Sequence, residues 1–194
     1  DRIKDAITPR TRVIEIPQVT NWSGQVLPVR EVVELGRERN IEVFVDGAHA
    51  FAHIPFQRDD LGCDYFGASL HKWTLAPIGT GFLYVRKSKI KSIWPLMGAD
   101  PPLDEDVRKF EQIGTHPAAN HNAISVALAF HRAIGSERKA ARLLYLRERW
   151  VAPLLAADPR VKLWTPREPG WGWGIGLLQV EGIDIGKLFG YLWD

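Results

Sequence analysis

The 194-residue sequence predicts an α/β fold built on a mostly parallel sheet with helices on both faces. Three observations support this prediction. Short apolar runs rich in β-branched residues mark strands, a stretch with helical periodicity separates the first two strands, and a further strand follows the third after only a few residues. A strand, helix, strand order favours parallel pairing, whereas a tight return favours antiparallel pairing. The four strand candidates are residues 12–16, 42–45, 64–69 and 81–85.

The helix between the first two strands is predicted over residues 29–40. Its apolar residues recur at helical spacing, its opposite face carries Glu and Arg side chains, and Pro28 stands just before it. The apolar positions are Val29, Val32, Val33 and Leu35. The unit formed with the flanking strands is of the kind that builds a parallel sheet.

The second half of the sequence predicts two consecutive helices separated at Gly135. They cover residues 120–134 and 136–154, and Ser136 provides a start signal for the second. We expect a domain boundary between these helices, which divides the chain into residues 1–135 and 136–194. Two further strands are predicted over residues 161–164 and 175–180, with a loop that contains two half-buried indoles at residues 170–174. A final helix is predicted over residues 186–193.

Composition excludes several classes of protein. The chain has 25 Lys and Arg residues against 23 Asp and Glu residues, a formal net charge of +2 and 45% hydrophobic residues, as in ordinary globular domains. The basic residues are dispersed among acidic ones, so no nucleic-acid or membrane-surface footprint stands out. The longest apolar stretches fall well short of the ~20 residues that a membrane helix needs. We therefore expect no nucleic-acid partner and no membrane partner.

Cys63 is the single cysteine of the chain. One cysteine excludes an internal disulfide and a cysteine-rich zinc site, and it fits a reducing compartment, so we expect a cytoplasmic protein. Cys63 itself is predicted to be a packed thiol, because cysteine is commonly buried as a small apolar side chain.

An acid and an imidazole follow the second predicted strand, at Asp46 and His49. The carboxyl ends of strands in an α/β sheet face a ligand crevice. A carboxylate placed there is costly unless it meets a metal, an Arg or a protonated ring nitrogen. Taken alone, Asp46 could equally be a turn or cap residue, and His49 could be a hydrogen-bonded structural histidine.

A second group of polar residues follows the third predicted strand. Lys72 stands beside His71 and three residues after Ser69, at the end of an apolar run. Burial lowers the pKa of an ammonium group, and a neutral amine can attack a carbonyl to form a Schiff base. Lys72 alone would be interpreted as a surface lysine. Together with Asp46 at the neighbouring strand end, it predicts a site for carbonyl chemistry.

Other chemistries find less support in the sequence. His49 and His53 are four residues apart, but the residues around them do not form the helical pattern of a zinc protease. No Walker motif or dinucleotide fingerprint occurs, so a phosphate-binding α/β module based on a glycine-rich loop is disfavoured.

These motifs resemble those of a pyridoxal-phosphate-dependent class V aminotransferase of fold type I, in the isopenicillin-N-epimerase-like and cysteine-desulfurase-like branch. His49 and the segment 114–119 favour the epimerase-like members. The resemblance covers most of residues 8–135 and is carried by residues 45–49, 64–72, 79–86, 20–28 and 110–115. It implies pyridoxal 5'-phosphate as the cofactor and an amino acid as the substrate.

The resemblance also implies roles for individual residues. Lys72 would form the Schiff base with the cofactor and then transfer the α-proton of the substrate. Asp46 would keep the pyridine nitrogen of the cofactor protonated, which supplies the cation that this carboxylate needs. The positions of Lys72 and Asp46 at neighbouring strand ends support these two roles directly.

Five further positions are assigned by the resemblance alone. Asn21 and His49 would form hydrogen bonds near the phenolic oxygen of the cofactor, and Ser69 and His71 would hold its phosphate. Thr115 would reach the phosphate bound by a neighbouring subunit, because active sites of this family lie at a dimer interface. We therefore expect a homodimer and no metal.

The resemblance implies that the sequence is a fragment. Residues 1–135 would form the C-terminal half of the cofactor-binding large domain, with one antiparallel strand in its sheet. Residues 136–194 would begin an α+β small domain. A lone fragment would expose sheet edges and part of a cofactor site, so we expect weak cofactor retention and a tendency to associate.

Three functions remain open at this point. The first is epimerisation or transamination at the α-carbon of an amino acid through Lys72. The second is β-elimination of the cysteine desulfurase or selenocysteine lyase type, which needs a mobile nucleophilic cysteine and is disfavoured because only Cys63 is present. The third is a catalytically silent scaffold that keeps the fold for association.

Overall fold

The computed structural model describes residues 2–98 and 103–193. It has the predicted α/β architecture, with a four-stranded sheet followed by two long helices and a two-stranded hairpin. In chain order the elements are α1 Arg2–Ala6, β1 Val13–Pro17, α2 Val29–Glu38, β2 Glu42–Asp46, α3 Arg58–Leu61, β3 Tyr65–Ser69, β4 Gly81–Val85, 3-10 turns at Lys87–Ser92 and Val107–Phe110, α4 Ala118–Ile134, α5 Ser136–Ala157, β5 Val161–Leu163, β6 Leu178–Val180 and α6 Ile185–Trp193.

The strands of the main sheet lie in sequence order. β1 pairs parallel with β2, β2 pairs parallel with β3, and β3 pairs antiparallel with β4. The mostly parallel sheet with one antiparallel strand is therefore confirmed. Asp46 at the end of β2 lies in register with Gly67 of β3, so the polar residues that follow both strands meet at one edge of the sheet.

Alternate residues of the strands fill two apolar layers. On one face, Val43, Val45 and Phe66 pack against Val32 and Val33 of α2. The opposite face is covered by the two 3-10 turns and contains Phe44, Tyr65, Val85, Ile90 and Phe110. Both faces of the central strands are thus buried, which explains their continuous apolar sequences.

Helix α2 ends two residues earlier than the sequence predicts. Asn40 adopts a left-handed conformation with φ +56°, and the Ile41 N–H donates to Gly36 O over 2.8 Å. This turn redirects the chain into β2. Asn tolerates the left-handed region better than most residues, which accounts for the position of the turn.

The predicted helices of the second half are present, but they are sparsely packed. No residue of α4 is buried, and α5 buries only Ala140, Arg147 and Val151. The hairpin strand β6 covers only residues 178–180 of the predicted 175–180, and the Leu177 N–H that precedes it donates to the Thr165 side chain. The division at residues 135 and 136 stays a prediction. Within the described ranges, no helix combines the length and apolar character needed to cross a membrane.

Candidate active site

The candidate site lies at the carboxyl ends of β2 and β3. The turn that follows β2 carries His49, and the turn that follows β3 carries Lys72. Lys72 Nζ lies 3.1 Å from His49 Nε2, within hydrogen-bond distance. The structure therefore brings together two side chains that are 23 residues apart in the sequence.

The turn after Asp46 is fixed by backbone and side-chain hydrogen bonds. Asp46 Oδ1 accepts the Ala48 N–H over 2.8 Å, and the N–H groups of Ala50 and Phe51 donate to Gly47 O. A Cβ atom at position 47 would lie 2.0 Å from the Phe66 ring, so the turn requires glycine. Asp46 forms no ion pair with any residue in the described ranges. Its carboxylate thus still lacks the cation that the sequence argument requires.

The electrostatics of His49 favour a neutral imidazole that accepts a hydrogen bond. Burial lowers the pKa of His49, the neighbouring Lys72 cation lowers it further, and Asp46 opposes the shift. A neutral His49 can accept a hydrogen bond from Lys72 at Nε2, and its proton then resides on Nδ1. This Nδ1 atom is buried and has no partner among the described residues. A buried donor without a partner costs about 1–3 kcal/mol, so the site favours a bound group with an acceptor atom here.

The other predicted site residues lie farther from this pair. Ser69 is half-buried at the end of β3, and the His71 ring lies 3.4 Å from Thr80 O through Nδ1. Asn21 and Thr115 are exposed, in the turn 21–23 and the segment 111–117. No hydrogen bond described here joins either of them to Lys72 or Asp46. Their assignments stay predictions.

Three residues absent from the sequence prediction contact the candidate site. The His53 ring stacks on the Trp73 ring, with ring centres 3.9 Å apart, and Lys139 of α5 donates through Nζ to Trp73 O. His53 follows His49 by four residues, a spacing that in the sequence suggests only a pair of metal ligands. No group of three metal-binding side chains occurs in the described part of the chain. Nothing in the sequence signals the contact with Lys139, which is 66 residues from Trp73.

Two other features lie apart from Lys72. Cys63 is buried, and burial raises the pKa of its thiol, as expected for a packed side chain. A cavity of about 820 Å³ lies beside β4, and its lining includes five aromatic residues of segment 51–58, β3 and β4. None of the predicted site residues lines this cavity, so its size does not make it the candidate active site.

Comparison with known proteins identifies the family. Residues 1–171 match the family described as aminotransferase class-V, and the chain belongs to this family. The isopenicillin N epimerase of Streptomyces clavuligerus is 30% identical over 206 residues, which cover 97% of this chain and 52% of the epimerase. A probable cysteine desulfurase of Mycolicibacterium paratuberculosis is 34% identical over 190 residues, with coverage of 92% and 27%. The chain thus spans about half or less of these relatives.

The fold is shared with a solved cysteine desulfurase, CsdA of Escherichia coli. The TM-score is 0.79 at 20% sequence identity, and the match covers 98% of this chain and 48% of the desulfurase. The resemblance to fold type I is therefore confirmed. Class V aminotransferases and cysteine desulfurases depend on pyridoxal 5'-phosphate, so the expected cofactor is that of the family.

The residues present at the site fit this cofactor. The unpaired Asp46 carboxylate suits a protonated pyridine nitrogen, and the unpartnered His49 Nδ1 suits an oxygen acceptor. Lys72 is half-buried, and its Nζ lies within hydrogen-bond distance of His49 Nε2, which orients the amine at the strand ends.

Proposed function

We propose that this chain carries the lysine, the acid and the imidazole of a pyridoxal-phosphate-dependent site that acts at the α-carbon of an amino acid by epimerisation or transamination. The observation that carries the proposal is the 3.1 Å contact between Lys72 Nζ and His49 Nε2 at the strand end that also bears an unpaired Asp46. When bound, the cofactor supplies an electron-accepting ring that stabilises negative charge at the substrate α-carbon.

Lys72 has two tasks in this proposal. Its amine must be neutral to attack a carbonyl, and the neutral His49 would accept a hydrogen bond from Nζ at Nε2 and so orient the amine. Lys72 Nζ would later accept the α-proton of the substrate and return it. Delivery of a proton to the opposite face of the same carbon, by a donor other than Lys72, would give epimerisation, and return of the proton by Lys72 to a different carbon would give transamination.

The remaining residues would bind and orient the cofactor. Asp46 would accept a hydrogen bond from the pyridine N–H, and Ser69 and His71 would hold the phosphate. Asn21 would assist His49 at the phenolic oxygen. Thr115 is exposed, which is compatible with a role at the phosphate of a partner subunit in a homodimer. We also propose that the protein acts in the cytoplasm.

The desulfurase relative favours a second candidate, β-elimination from a cysteine-type substrate. This reaction needs a mobile nucleophilic cysteine, whereas the one cysteine of this chain is buried with a raised thiol pKa. Proton exchange separates the candidates: epimerisation exchanges the α-proton with D2O without a keto acid, transamination requires a keto acid, and elimination releases sulfur from cysteine.

A trapping experiment tests the lysine assignment. The chain is mixed with pyridoxal 5'-phosphate, reduced with borohydride, and mapped by peptide mass spectrometry at all nine lysines. Exposed lysines react with free pyridoxal 5'-phosphate without selectivity, whereas a lysine in a cofactor site reacts with cofactor that is already bound beside it. We therefore expect half-buried Lys72 to be modified faster than exposed Lys187. Trapping records even weak binding. The Lys72→Ala variant should lose the selective modification, and the matched Lys187→Ala variant should keep it.

Two results would refute the proposal. In the first, Lys72 of the unaltered chain is modified at the same rate as Lys187 or more slowly, which would favour a catalytically silent scaffold as the function of the chain. Alternatively, the selective modification could persist at another lysine in Lys72→Ala, which would assign the chemistry to that lysine.

A further inference from the structure

His53 is a buried imidazole with three contacts to separate parts of the chain. It is 1% exposed. Its Nδ1 lies 2.7 Å from His49 O, its Nε2 lies 2.9 Å from the Gly174 amide nitrogen, and its ring stacks on Trp73 at an interplanar angle of 13°. The side chain thus joins both turns of the candidate site to a segment that is 121 residues away.

The two polar contacts determine where the proton of His53 resides. A carbonyl oxygen can only accept, so His53 Nδ1 must carry a hydrogen and donate to His49 O. A backbone N–H can only donate, so His53 Nε2 must be unprotonated and accept from Gly174. The fold therefore selects one neutral tautomer of His53. Protonation at Nε2 would leave the Gly174 amide facing another donor.

The same region receives a second contact from the C-terminal third of the chain. Lys139 of α5 donates through Nζ to Trp73 O, in the residue that follows Lys72. A Cβ atom at position 174 would lie 3.0 Å from His53 Nε2 and 2.9 Å from Leu143 Cβ. The segment at Gly174 is therefore packed closely between His53 and α5.

We infer that His53 is a positioning residue for the Lys72–His49 pair, a neutral clamp that fixes the backbone of His49 and the ring of Trp73 against the segment at Gly174. The inference rests on the proposed function of Lys72. It adds that the C-terminal third of the chain sets the reactivity of the lysine through His53 and Trp73. His53 does not contact the reacting amine itself.

The ionisable groups around His53 support the neutral state. His49 faces it from its own turn, and Lys139 faces it from α5. Burial lowers the pKa of His53 to about 4, and both neighbours add to the shift, while the bond to His49 O opposes it. His53 is therefore neutral at the pH at which Lys72 would work.

The first test measures the tautomer in the unaltered chain without cofactor. Nitrogen-15 NMR of the histidine rings distinguishes a protonated from an unprotonated nitrogen, and the resonances lost in His53→Asn identify His53. We expect His53 to carry a hydrogen on Nδ1 and none on Nε2, and we expect both protonation states to be unchanged at pH 5.5. A hydrogen on Nε2 would overturn the inference, whatever the behaviour of the variants.

The second test measures positioning with two conservative variants. His53→Asn keeps a donor near His49 O, and His53→Gln keeps an acceptor near the Gly174 N–H. In folded samples treated with pyridoxal 5'-phosphate and borohydride, we expect the ratio of Lys72 to Lys187 modification to fall by about tenfold in both, because small displacements of a reacting group reduce rates strongly. The pH of half-maximal Lys72 modification should also shift, because His49 moves relative to Nζ.

The outcomes separate the two proposals. No selective modification of Lys72 in the unaltered chain would overturn the proposed function and the positioning role together. Selective modification that keeps its ratio and its pH profile in both folded variants would overturn only the positioning role of His53.

Discussion

The sheet region, residues 13–98, and the helical region, residues 118–193, are stabilised in different ways. All but two of the buried apolar side chains in the described residues belong to the sheet region, and the exceptions are Ala140 and Val151 of α5. Large exposed apolar side chains occur in both regions, such as Trp94 in the sheet region and Phe130 and Trp164 in the helical region. Burial of apolar surface is the dominant stabilising contribution in proteins. The sheet region therefore holds most of the folding free energy.

The two regions also contribute to the candidate site in different ways. The sheet region fixes Asp46 and the Lys72–His49 pair by strand register and core packing. The helical region reaches the site through single polar contacts, from Lys139 to Trp73 O and from the Gly174 N–H to His53. A single contact is easier to alter than a core. The sheet therefore sets the position of the site, while the C-terminal third affects the orientation of its side chains through these two contacts.

The largest expected effect comes from paired truncations in the two regions. Phe66 of β3 is 1% exposed and packs against Val43 and Val45, whereas Phe130 of α4 is 55% exposed. We expect Phe66→Ala to reduce the free energy of unfolding by about 4 kcal/mol, because it leaves a cavity in the core. Phe130→Ala should change it by less than about 0.5 kcal/mol. Urea unfolding followed by circular dichroism measures both.

Similar losses in the two variants would contradict this comparison. A large loss in Phe130→Ala would show that the exposed face of α4 is covered in solution, as by self-association of the chain. Light scattering at two protein concentrations then distinguishes an associated chain from a monomer.

Much of the sheet region was predictable from the sequence because its local and long-range preferences agree. The strands are β-branched, the spacing of Val29, Val32 and Val33 is helical, and the short link before Gly81 leaves no room for a crossover helix. The position of Asp46 and of the turn with Lys72 after two neighbouring strands could be predicted, because parallel strands bring their carboxyl ends to one edge of the sheet.

The clamp could not be predicted, for two physical reasons. His53 is bonded to Gly174 and Trp73 to Lys139, at sequence separations of 121 and 66 residues. No local periodicity of the sequence encodes contacts over such separations. In addition, the hydrogen bond from Gly174 to His53 uses a backbone N–H as its donor, and every residue except proline possesses this group. The sequence therefore carries no side-chain signal for it.

The second expected effect is a pH dependence that originates at the contact between the regions. The pKa of His53 is about 4 in the fold and 6.5 for an ordinary histidine, so the unfolded chain binds a proton first as the pH falls. The stabilising contribution of neutral His53 is complete above pH 6.5 and is lost between pH 6.5 and about 4. The difference corresponds to about 3 kcal/mol.

Urea unfolding at pH 7 and at pH 4.5 measures this effect. We expect the free energy of unfolding to fall more steeply in the unaltered chain than in His53→Asn, which has no titrating group at this position. His131, whose pKa is also lowered by burial, remains in both proteins and cancels in the comparison. Equal slopes in the two proteins would show that His53 is not held neutral.

The smallest expected effect concerns backbone strain in the turn that carries Lys72. Leu75 adopts a left-handed conformation with φ +64° and is 63% exposed, and its N–H donates to Lys72 O over 3.2 Å. This conformation costs an ordinary L-residue about 1 kcal/mol. The same conformation occurs at Asn40 and Ala52, and Asn40 shows that the chain can use Asn for it.

We therefore expect Leu75→Asn to raise the free energy of unfolding by about 0.5 kcal/mol, since Asn tolerates the left-handed region and little apolar surface is lost. The matched control is Leu146→Asn in α5, where the backbone is helical and Leu146 is 41% exposed. There the lower helix propensity of Asn should reduce the free energy by about 0.5 kcal/mol. Opposite signs would locate stored strain in the turn of the sheet region. A loss at both positions would instead show that the exposed Leu75 side chain stabilises that turn through contacts of its own.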